Sequence, residues 1–447
     1  MPELLDLAKQ VAGSAQSGEE IEAFVSWHRD TELRVYEGAI ESLSSAETSG
    51  IGIRVITDGR QGFAYVGDLD ERLVREALAE ARDNASFSSP DQHVGLAQPD
   101  GFDAVDLELW SDGLARFPTE QKIAMAIELE RQVRAGDSRI RQVVSSDYGD
   151  GQSEAAIATS TGIAVTSRRT SCFLAADAVA GDGDDTQTGA GYTVGRDAED
   201  LRLEEAARDA IERATRLLGA KKPKSGRLSV VLDRRVTATL LGILSGTLSG
   251  EEVEKGRSLF AGRLGEEVAI SSITLVDDPT NPLAYGASRF DAEGLACRRN
   301  SLIEAGRLVA FLYDSYSARL AGTKSTASAV RGGFKSPPGV GARALSLDPG
   351  ELGQDAIIGA VGEGLFVQGV SGVHSGVNRV SGDFSVGAEG LMIRGGSLAE
   401  PVREFTIAST IQRLLQHVLF VGDDIEYLPS SAAGVSLAIA DVAMAGE

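Results

Sequence analysis

A glycine-punctuated stretch near the C-terminus constrains the fold more than any other part of the chain. Residues 390–394 and 397–406 are extended runs that meet at Gly395 and Gly396. Such a glycine pair tolerates the positive φ angles of a two-residue turn. Apolar side chains then recur at helical spacing over residues 407–418. The stretch therefore predicts a β-hairpin followed by one amphipathic helix.

The rest of the chain also alternates between extended runs, glycine turns and amphipathic segments. The pattern predicts an α+β fold in three units, with an α/β N-terminal layer, a mixed middle unit and a largely antiparallel β C-terminal domain with packed helices. A second hairpin is expected around Gly306, in one sheet system with the first. The predicted boundaries are residues 1–86 for the N-terminal α+β domain, 87–117 for a linker, 118–220 for the middle α+β unit and 226–447 for the C-terminal domain.

Charge and cysteine content narrow the classes of partner. The chain has 66 acidic and 43 basic residues, a net charge of −23, whereas nucleic acids and anionic membranes require a basic face. No apolar stretch approaches the roughly 20 residues of a membrane span, and the N-terminus lacks the apolar core of a signal peptide. Cys172 and Cys297 are the only cysteines and do not form a Cys-x-x-Cys pair. We expect a cytoplasmic protein with reduced thiols and no nucleic-acid or membrane partner.

The residues alone give no catalytic centre. None of the four histidines lies four residues from another, and no cysteine or carboxylate cluster gives them a zinc-like spacing. No Gly-x-Ser-x-Gly elbow is present, and neighbouring carboxylates such as Asp277 and Asp278 point to opposite faces if they lie in a strand. Only His374, close in sequence to the C-terminal stretch, is kept as a candidate channel-lining residue.

Several short sequence motifs resemble those of a known protein family. GVNRVSGDFSVGAEG, PVREFTIAST and VGDDIE follow one another within and just after the C-terminal stretch. In this order and spacing they resemble the signature of the TldD/PmbA family, and specifically of its PmbA (TldE) branch. The words DAEG at residues 291–294 and YSARLAGTKST at residues 316–326 extend the resemblance, which covers essentially the whole chain.

The resemblance also directs attention to the helix that follows residues 228–232. In metal-bearing members of the family this helix carries His-Glu-x-x-x-His, in which the histidines hold zinc and the glutamate is the general base. Here the corresponding word is LLGILSGTLSGEE, which places Gly242, Ile243 and Thr247 at the three positions. The region where those members carry a cysteine ligand, residues 425–436, has neither Cys nor His. The resemblance therefore implies that this chain holds no metal.

What the family resemblance implies is a non-catalytic subunit of a heterodimeric metallopeptidase that processes or degrades extended peptides. Zinc is then expected in a TldD-like partner subunit. Two alternatives remain open: a chaperone-like homodimer that binds peptides at a sheet edge, and a metal-independent hydrolase that uses carboxylates or a hydroxyl. The candidates for the wall of the substrate cleft or for the interface are Gly376, Asn378, Gly382, Asp383, Phe384 and Ser385, together with His374.

Overall fold

The first half of the chain forms one six-stranded antiparallel sheet, in a computed structural model that describes residues 2–447. Its strands are β1 Glu19–Tyr36, β2 Ala39–Thr57, β3 Arg60–Val66, β4 Ile140–Thr159, β5 Ala164–Ala180 and β6 Gln187–Gly195. Their order across the sheet is β3-β2-β1-β4-β5-β6. Because β1 pairs with β4, strands from the predicted N-terminal and middle units belong to the same sheet.

Helices cover one face of this sheet. They are α1 Pro2–Ala12, α2 Glu71–Phe87, α3 Asp112–Ala115, α4 Thr119–Gly136 and α5 Leu203–Thr215. Alternate residues of β1 point to this face: Ile21, Ala23 and Val25 pack with α1 and α2. Leu33 and Val35, further along the strand, pack with α4 and α5. Because side chains alternate between the two faces along each strand, the other face of the sheet remains available to contact the second half of the chain.

The second half of the chain contains twelve short or medium strands. They are β7 Gly226–Leu232, β8 Leu275–Asp277, β9 Asn300–Glu304, β10 Arg307–Leu308, β11 Ala329–Val330, β12 Gly339–Val340, β13 Leu345–Leu347, β14 Gly364–Ser371, β15 Asp383–Arg394, β16 Ser397–Thr410, β17 Val418–Val421 and β18 Leu437–Ala445. Six of them form a sheet ordered β16-β15-β14-β7-β18-β17, in which only β14 and β7 are parallel. A further pairing of β16 with β18 closes this sheet into a barrel-like shape. The α+β fold with a largely antiparallel C-terminal domain is confirmed.

Six helices pack around these strands. They are α6 Arg234–Thr247, α7 Gly250–Glu254, α8 Ser315–Leu320, α9 Gln354–Val361, α10 Val373–Gly376 and α11 Ile411–Gln416. One large apolar core joins α6 to the barrel-like sheet and to the smaller sheet β10-β9-β8-β13. Within residues 2–447, no helix has both the length and the apolar character needed to cross a bilayer.

Both predicted hairpins are present. Gly395 and Gly396, with φ angles of 56° and 78°, form the turn between β15 and β16. Ala305 and Gly306, with φ angles of 44° and 82°, form the turn between β9 and β10. The expectation that they share one sheet system is wrong, since the first hairpin belongs to the barrel-like sheet and the second to the four-stranded sheet. Both sheets nevertheless contribute to one core.

The predicted helix over residues 407–418 is largely wrong. Strand β16 continues to Thr410, and α11 covers only six residues before β17 begins at Val418. Ile407 pairs with Val386 of β15 on one side and with Met444 of β18 on the other. Thr410 then caps the helix, because its hydroxyl accepts a hydrogen bond from the backbone N–H of Arg413 at 3.3 Å. Pairing on both edges of the strand outweighed the helical spacing of the apolar residues.

Candidate functional site

An open cleft lies between helix α6 and the segment that leads into β15. Ile243 of α6 lines it from one side, and residues 373–379 with Asp383 line it from the other. The structure thus brings four predicted site residues together: His374, Gly376, Asn378 and Asp383. The candidate substrate wall and one of the degenerate metal-site positions therefore lie in the same place.

Asn378 organises the turn that forms one side of the cleft. Its side-chain oxygen accepts hydrogen bonds from the backbone N–H groups of Val380 at 2.9 Å and Ser381 at 3.1 Å. Its own N–H donates to the carbonyl of Asp383 at 2.9 Å, and its carbonyl accepts from the N–H of Gly382 at 2.8 Å. An Asn side chain that bonds to the backbone two and three residues ahead stabilises a tight turn. Asn378 therefore fixes the position of the Asp383 backbone.

Two glycines allow the backbone to pass through this turn. A Cβ atom on Gly376 would lie 1.9 Å from the carbonyl oxygen of Ser385. Gly382 has φ of +85°, and a Cβ atom there would lie 2.2 Å from Oε1 of Gln412. The side chain of Phe384 is buried in the core behind the cleft, whereas Ser385 is exposed on β15. Gly382, Phe384 and Ser385 thus support the cleft without lining it.

The cleft presents several polar groups to solvent. The Asp383 carboxylate is exposed and accepts a hydrogen bond from the Ser381 hydroxyl at 2.6 Å. His374 is exposed. The hydroxyl of its neighbour Ser375 donates to the carbonyl of Gly372 at 3.2 Å rather than to the imidazole. This arrangement suits hydrogen bonding to a ligand better than nucleophilic catalysis, which needs a base bonded to the nucleophile.

The three degenerate metal-site positions do not converge. Gly242 is exposed on α6, whereas Ile243 is buried and lines the cleft. Thr247 is completely buried, and its hydroxyl donates to the carbonyl of Leu244 at 2.8 Å. Across the described chain, no group of three or more His, Cys, Asp or Glu side chains has a geometry that could hold a metal ion. The family resemblance implies a zinc ion in a partner subunit. At the corresponding positions, the side chains of this chain do not provide the ligands that zinc needs.

Among the cleft residues that sequence reasoning missed, Arg379 is the charged one. Its guanidinium lies against α6. A Cβ atom added to Gly246 of that helix would be only 2.8 Å from the Nη1 atom of Arg379. A fixed positive charge beside this helix repels a divalent cation. The only signal for it in the sequence was its place in the word GVNRVSG, next to Asn378.

Two pairs of neighbouring carboxylates, Asp277 with Asp278 and Asp423 with Asp424, contain a residue that stabilises a loop. Asp277 is buried, and its Oδ1 atom accepts from the backbone N–H groups of Arg343 at 2.9 Å and Ala344 at 2.7 Å. Asp424 accepts from the backbone N–H of Ser436 at 3.0 Å and from its hydroxyl at 2.7 Å. These bonds hold loops together, so neither pair is arranged to share a proton or to activate water.

Comparison with known proteins gives matches along nearly the whole chain. Residues 21–85 match PmbA/TldA metallopeptidase domain 1, residues 112–218 the central domain and residues 225–446 the C-terminal domain of the same family. The chain is 26% identical to the metalloprotease PmbA of Escherichia coli O157:H7 over 450 residues, which cover 100% of this chain and 96% of that protein. It is 30% identical to a metalloprotease of Methanothermobacter thermautotrophicus, with 89% and 86% covered.

A solved structure shows the same fold. The crystal structure of TldE from Thermococcus kodakarensis covers 100% of both chains with a TM-score of 0.88, at 24% sequence identity.

Proposed function

This chain belongs to the PmbA/TldD metallopeptidase family, and on that basis we propose that it is the metal-free subunit of a two-subunit peptidase. In this proposal the chain forms one wall of the cleft that holds an extended peptide. A TldD-like partner contributes zinc and the catalytic groups, and the complex acts in the cytoplasm. The free, buried thiols of Cys172 and Cys297 favour that compartment.

The observation that carries the proposal is the composition of α6 where it faces the cleft. A zinc peptidase needs imidazole, thiolate or carboxylate ligands and a base for the bound water. At the corresponding positions this chain has Gly242, Ile243 and Thr247, and the guanidinium of Arg379 lies against the same helix. Relatives of this chain are named metalloproteases, and the proposal gives this chain a different role within the fold that it shares with them.

The other wall of the cleft supports a role in substrate binding. The exposed side chains of Arg379 and Asp383 flank the turn that Asn378 stabilises, and that of His374 is exposed on α10 just before it. Fixed polar groups can orient an extended peptide for attack by a nucleophile in a facing subunit, because positioning removes much of the entropic barrier. Closing the cleft between two subunits would also exclude water.

The test is a peptide-cleavage assay on this chain, on a His-Glu-x-x-x-His relative encoded in the same genome, and on their mixture. We expect no cleavage by this chain alone, weak cleavage by the relative alone and strong cleavage by the mixture, abolished by a chelator. Asp383→Ala should lower the activity of the mixture without unfolding this chain, because the carboxylate is exposed. The matched control is Glu71→Ala, which removes an exposed carboxylate on α2, far from the cleft in the fold.

Two outcomes would contradict the proposal. Chelator-resistant cleavage by this chain alone would favour a metal-independent hydrolase. A relative that is equally active with and without this chain would remove the subunit role, and peptide binding by a homodimer of this chain would then favour the chaperone-like alternative.

A further inference from the structure

A second cavity lies between the helix-free face of the N-terminal sheet and the C-terminal domain. Its volume is about 370 Å³, within the usual range for small-molecule sites. Phe24 of β1, Ile157 of β4 and Val165 of β5 form an apolar part of its wall. Residues 106–109 of the connecting segment and residues 287–292 of the C-terminal domain complete it. This cavity is separate from the cleft beside α6.

The cavity is rich in positive charge although the chain carries a net charge of −23. Five arginine side chains line it: Arg168, Arg169, Arg289, Arg331 and Arg343. The acidic side chains in the wall are Asp106, Glu108 and Asp291. Asp291 is already engaged, because Oδ1 accepts from the N–H groups of Glu293 and Leu295 and Oδ2 accepts from that of Ala329. Within the wall the five arginines therefore outnumber the three carboxylates, and one of the five, Arg331, is also paired with Glu22 outside the wall.

Crowding of these cations is electrostatically unfavourable. Burial, together with the positive charges of Arg196 and Arg343, lowers the pKa of Arg169 to about 10. Arg169 donates to the carbonyl of Tyr285 rather than to a carboxylate. A negatively charged ligand would relieve this repulsion.

Several guanidinium N–H groups in the wall have no protein partner. The buried Nε–H groups of Arg289 and Arg343 donate to no acceptor, nor do the Nε–H and Nη1–H groups of Arg331. The Arg331 side chain is only 3% exposed, and it is held by Nη2, which donates to Glu22 at 2.6 Å and to the carbonyl of Ala292 at 2.7 Å. A buried donor without an acceptor destabilises the fold. Three arginine side chains that line this one cavity have such unpaired donors.

We propose that this cavity is a binding site for a small organic anion. A carboxylate or phosphate group would accept hydrogen bonds from Arg289, Arg331 and Arg343, since planar guanidinium groups bind both oxyanions well. The apolar body of the ligand would contact Phe24, Ile157 and Val165. The site does not depend on the proposed subunit role, since none of its residues lines the cleft beside α6.

The test is calorimetric titration of the full-length chain with benzoate, with the uncharged isostere benzamide and with inorganic phosphate. We expect benzoate or phosphate to bind and benzamide not to bind. Binding of benzoate alone would identify the carboxylate class with an apolar body, and binding of phosphate alone would identify a phosphate-bearing ligand.

The variant that tests the site is Arg289→Gln. Arg289 is half-buried and its Nε is unpaired, so its loss should leave the fold intact while weakening anion binding at least about tenfold. The matched control is Arg75→Gln, an exposed arginine on α2, which should bind as the wild type does. Equal binding of benzamide and benzoate, no binding of either anion, or unchanged affinity in Arg289→Gln would each overturn the proposal.

Discussion

At the scale of single residues, Asp277 shows how burial changes the chemistry of a carboxyl group. It ends strand β8, is 1% exposed, and directs Oδ1 at two backbone N–H groups, those of Arg343 and Ala344. Burial raises its pKa from 3.8 to about 6, and the two hydrogen bonds offset only part of that effect. The ionised form is therefore less favourable in the folded chain than in the unfolded chain.

This shift predicts a pH-dependent effect of Asp277→Asn. Between pH 3.8 and about 6 the folded state binds more protons at this site than the unfolded state, so its contribution to stability is lost as pH rises through that window. The Asn side chain cannot ionise, and its Oδ1 can keep both hydrogen bonds. We expect the variant to gain up to about 3 kcal/mol of unfolding free energy over the wild type near pH 7, and much less near pH 4.

Urea unfolding of both proteins at the two pH values measures the difference. Asp103→Asn, which changes an exposed carboxylate, is the matched control and should show no comparable change with pH. A stability difference for Asp277→Asn that does not vary between the two pH values would contradict the prediction.

At the scale of elements, glycines set how closely helices approach the N-terminal sheet. Gly191 lies in β6 beneath α5, where an added Cβ atom would be 2.0 Å from the carbonyl oxygen of Ala206 and 2.4 Å from the nitrogen of Ala210. Gly62 of β3 has the same relation to α2, with the carbonyl of Ala81 at 1.9 Å. The helix backbones therefore rest directly on the strands at these positions.

Gly191→Ala should destabilise the chain by about 1–3 kcal/mol, because α5 must move away from the sheet to accommodate the methyl group. Gly226→Ala is the matched control, a strand glycine in β7 with no atom within 4 Å of the added Cβ. It should be neutral or slightly stabilising, since alanine lowers the entropy of the unfolded chain. Thermal unfolding of the two variants is the measurement, and equal effects would refute the close-contact explanation.

At the scale of the whole molecule, a buried charge network joins the two halves of the chain. Glu22 of β1 accepts from Arg54 of β2 and from Arg331 of the C-terminal domain, each at 2.6 Å. Arg54 also lies 3.4 Å from Glu293, which accepts from the backbone N–H of Ser315 at 2.8 Å. Burial raises the pKa of Glu22, but the charges of Arg331 and Arg54 reverse the effect, and its pKa lies below the usual value.

Glu22→Gln should therefore destabilise the protein by about 3–5 kcal/mol, because it leaves two buried guanidinium groups without their shared carboxylate. The matched control is Glu71→Gln, which breaks an exposed ion pair with Arg75 and should cost less than about 1 kcal/mol. Urea unfolding is the measurement. A loss in Glu22→Gln no larger than in the control would show that the network does not hold the two halves together.

The sequence by itself determined the features that depend on residue type and local backbone geometry. The turn at Gly395 and Gly396 was predictable, because positive φ angles on two successive residues select glycine. The family was predictable from the order and spacing of its short sequence motifs. The lack of metal-binding groups at Gly242, Ile243 and Thr247 is likewise a property of the sequence, since no packing can turn these side chains into good zinc ligands.

Only the tertiary structure decided which distant segments meet. Residues 407–410 became strand because β15 pairs with all four and β18 pairs with Ile407 and Ala408 on the opposite edge. The spacing of apolar residues does not encode such strand partners. Ile243 reaches the same cleft as Asp383, which lies far along the chain. The five arginines of the second cavity come from four separate stretches of the sequence, so the sequence does not show them as one cluster of charge. Contacts between remote segments arise from packing of the whole chain, which local patterns do not encode.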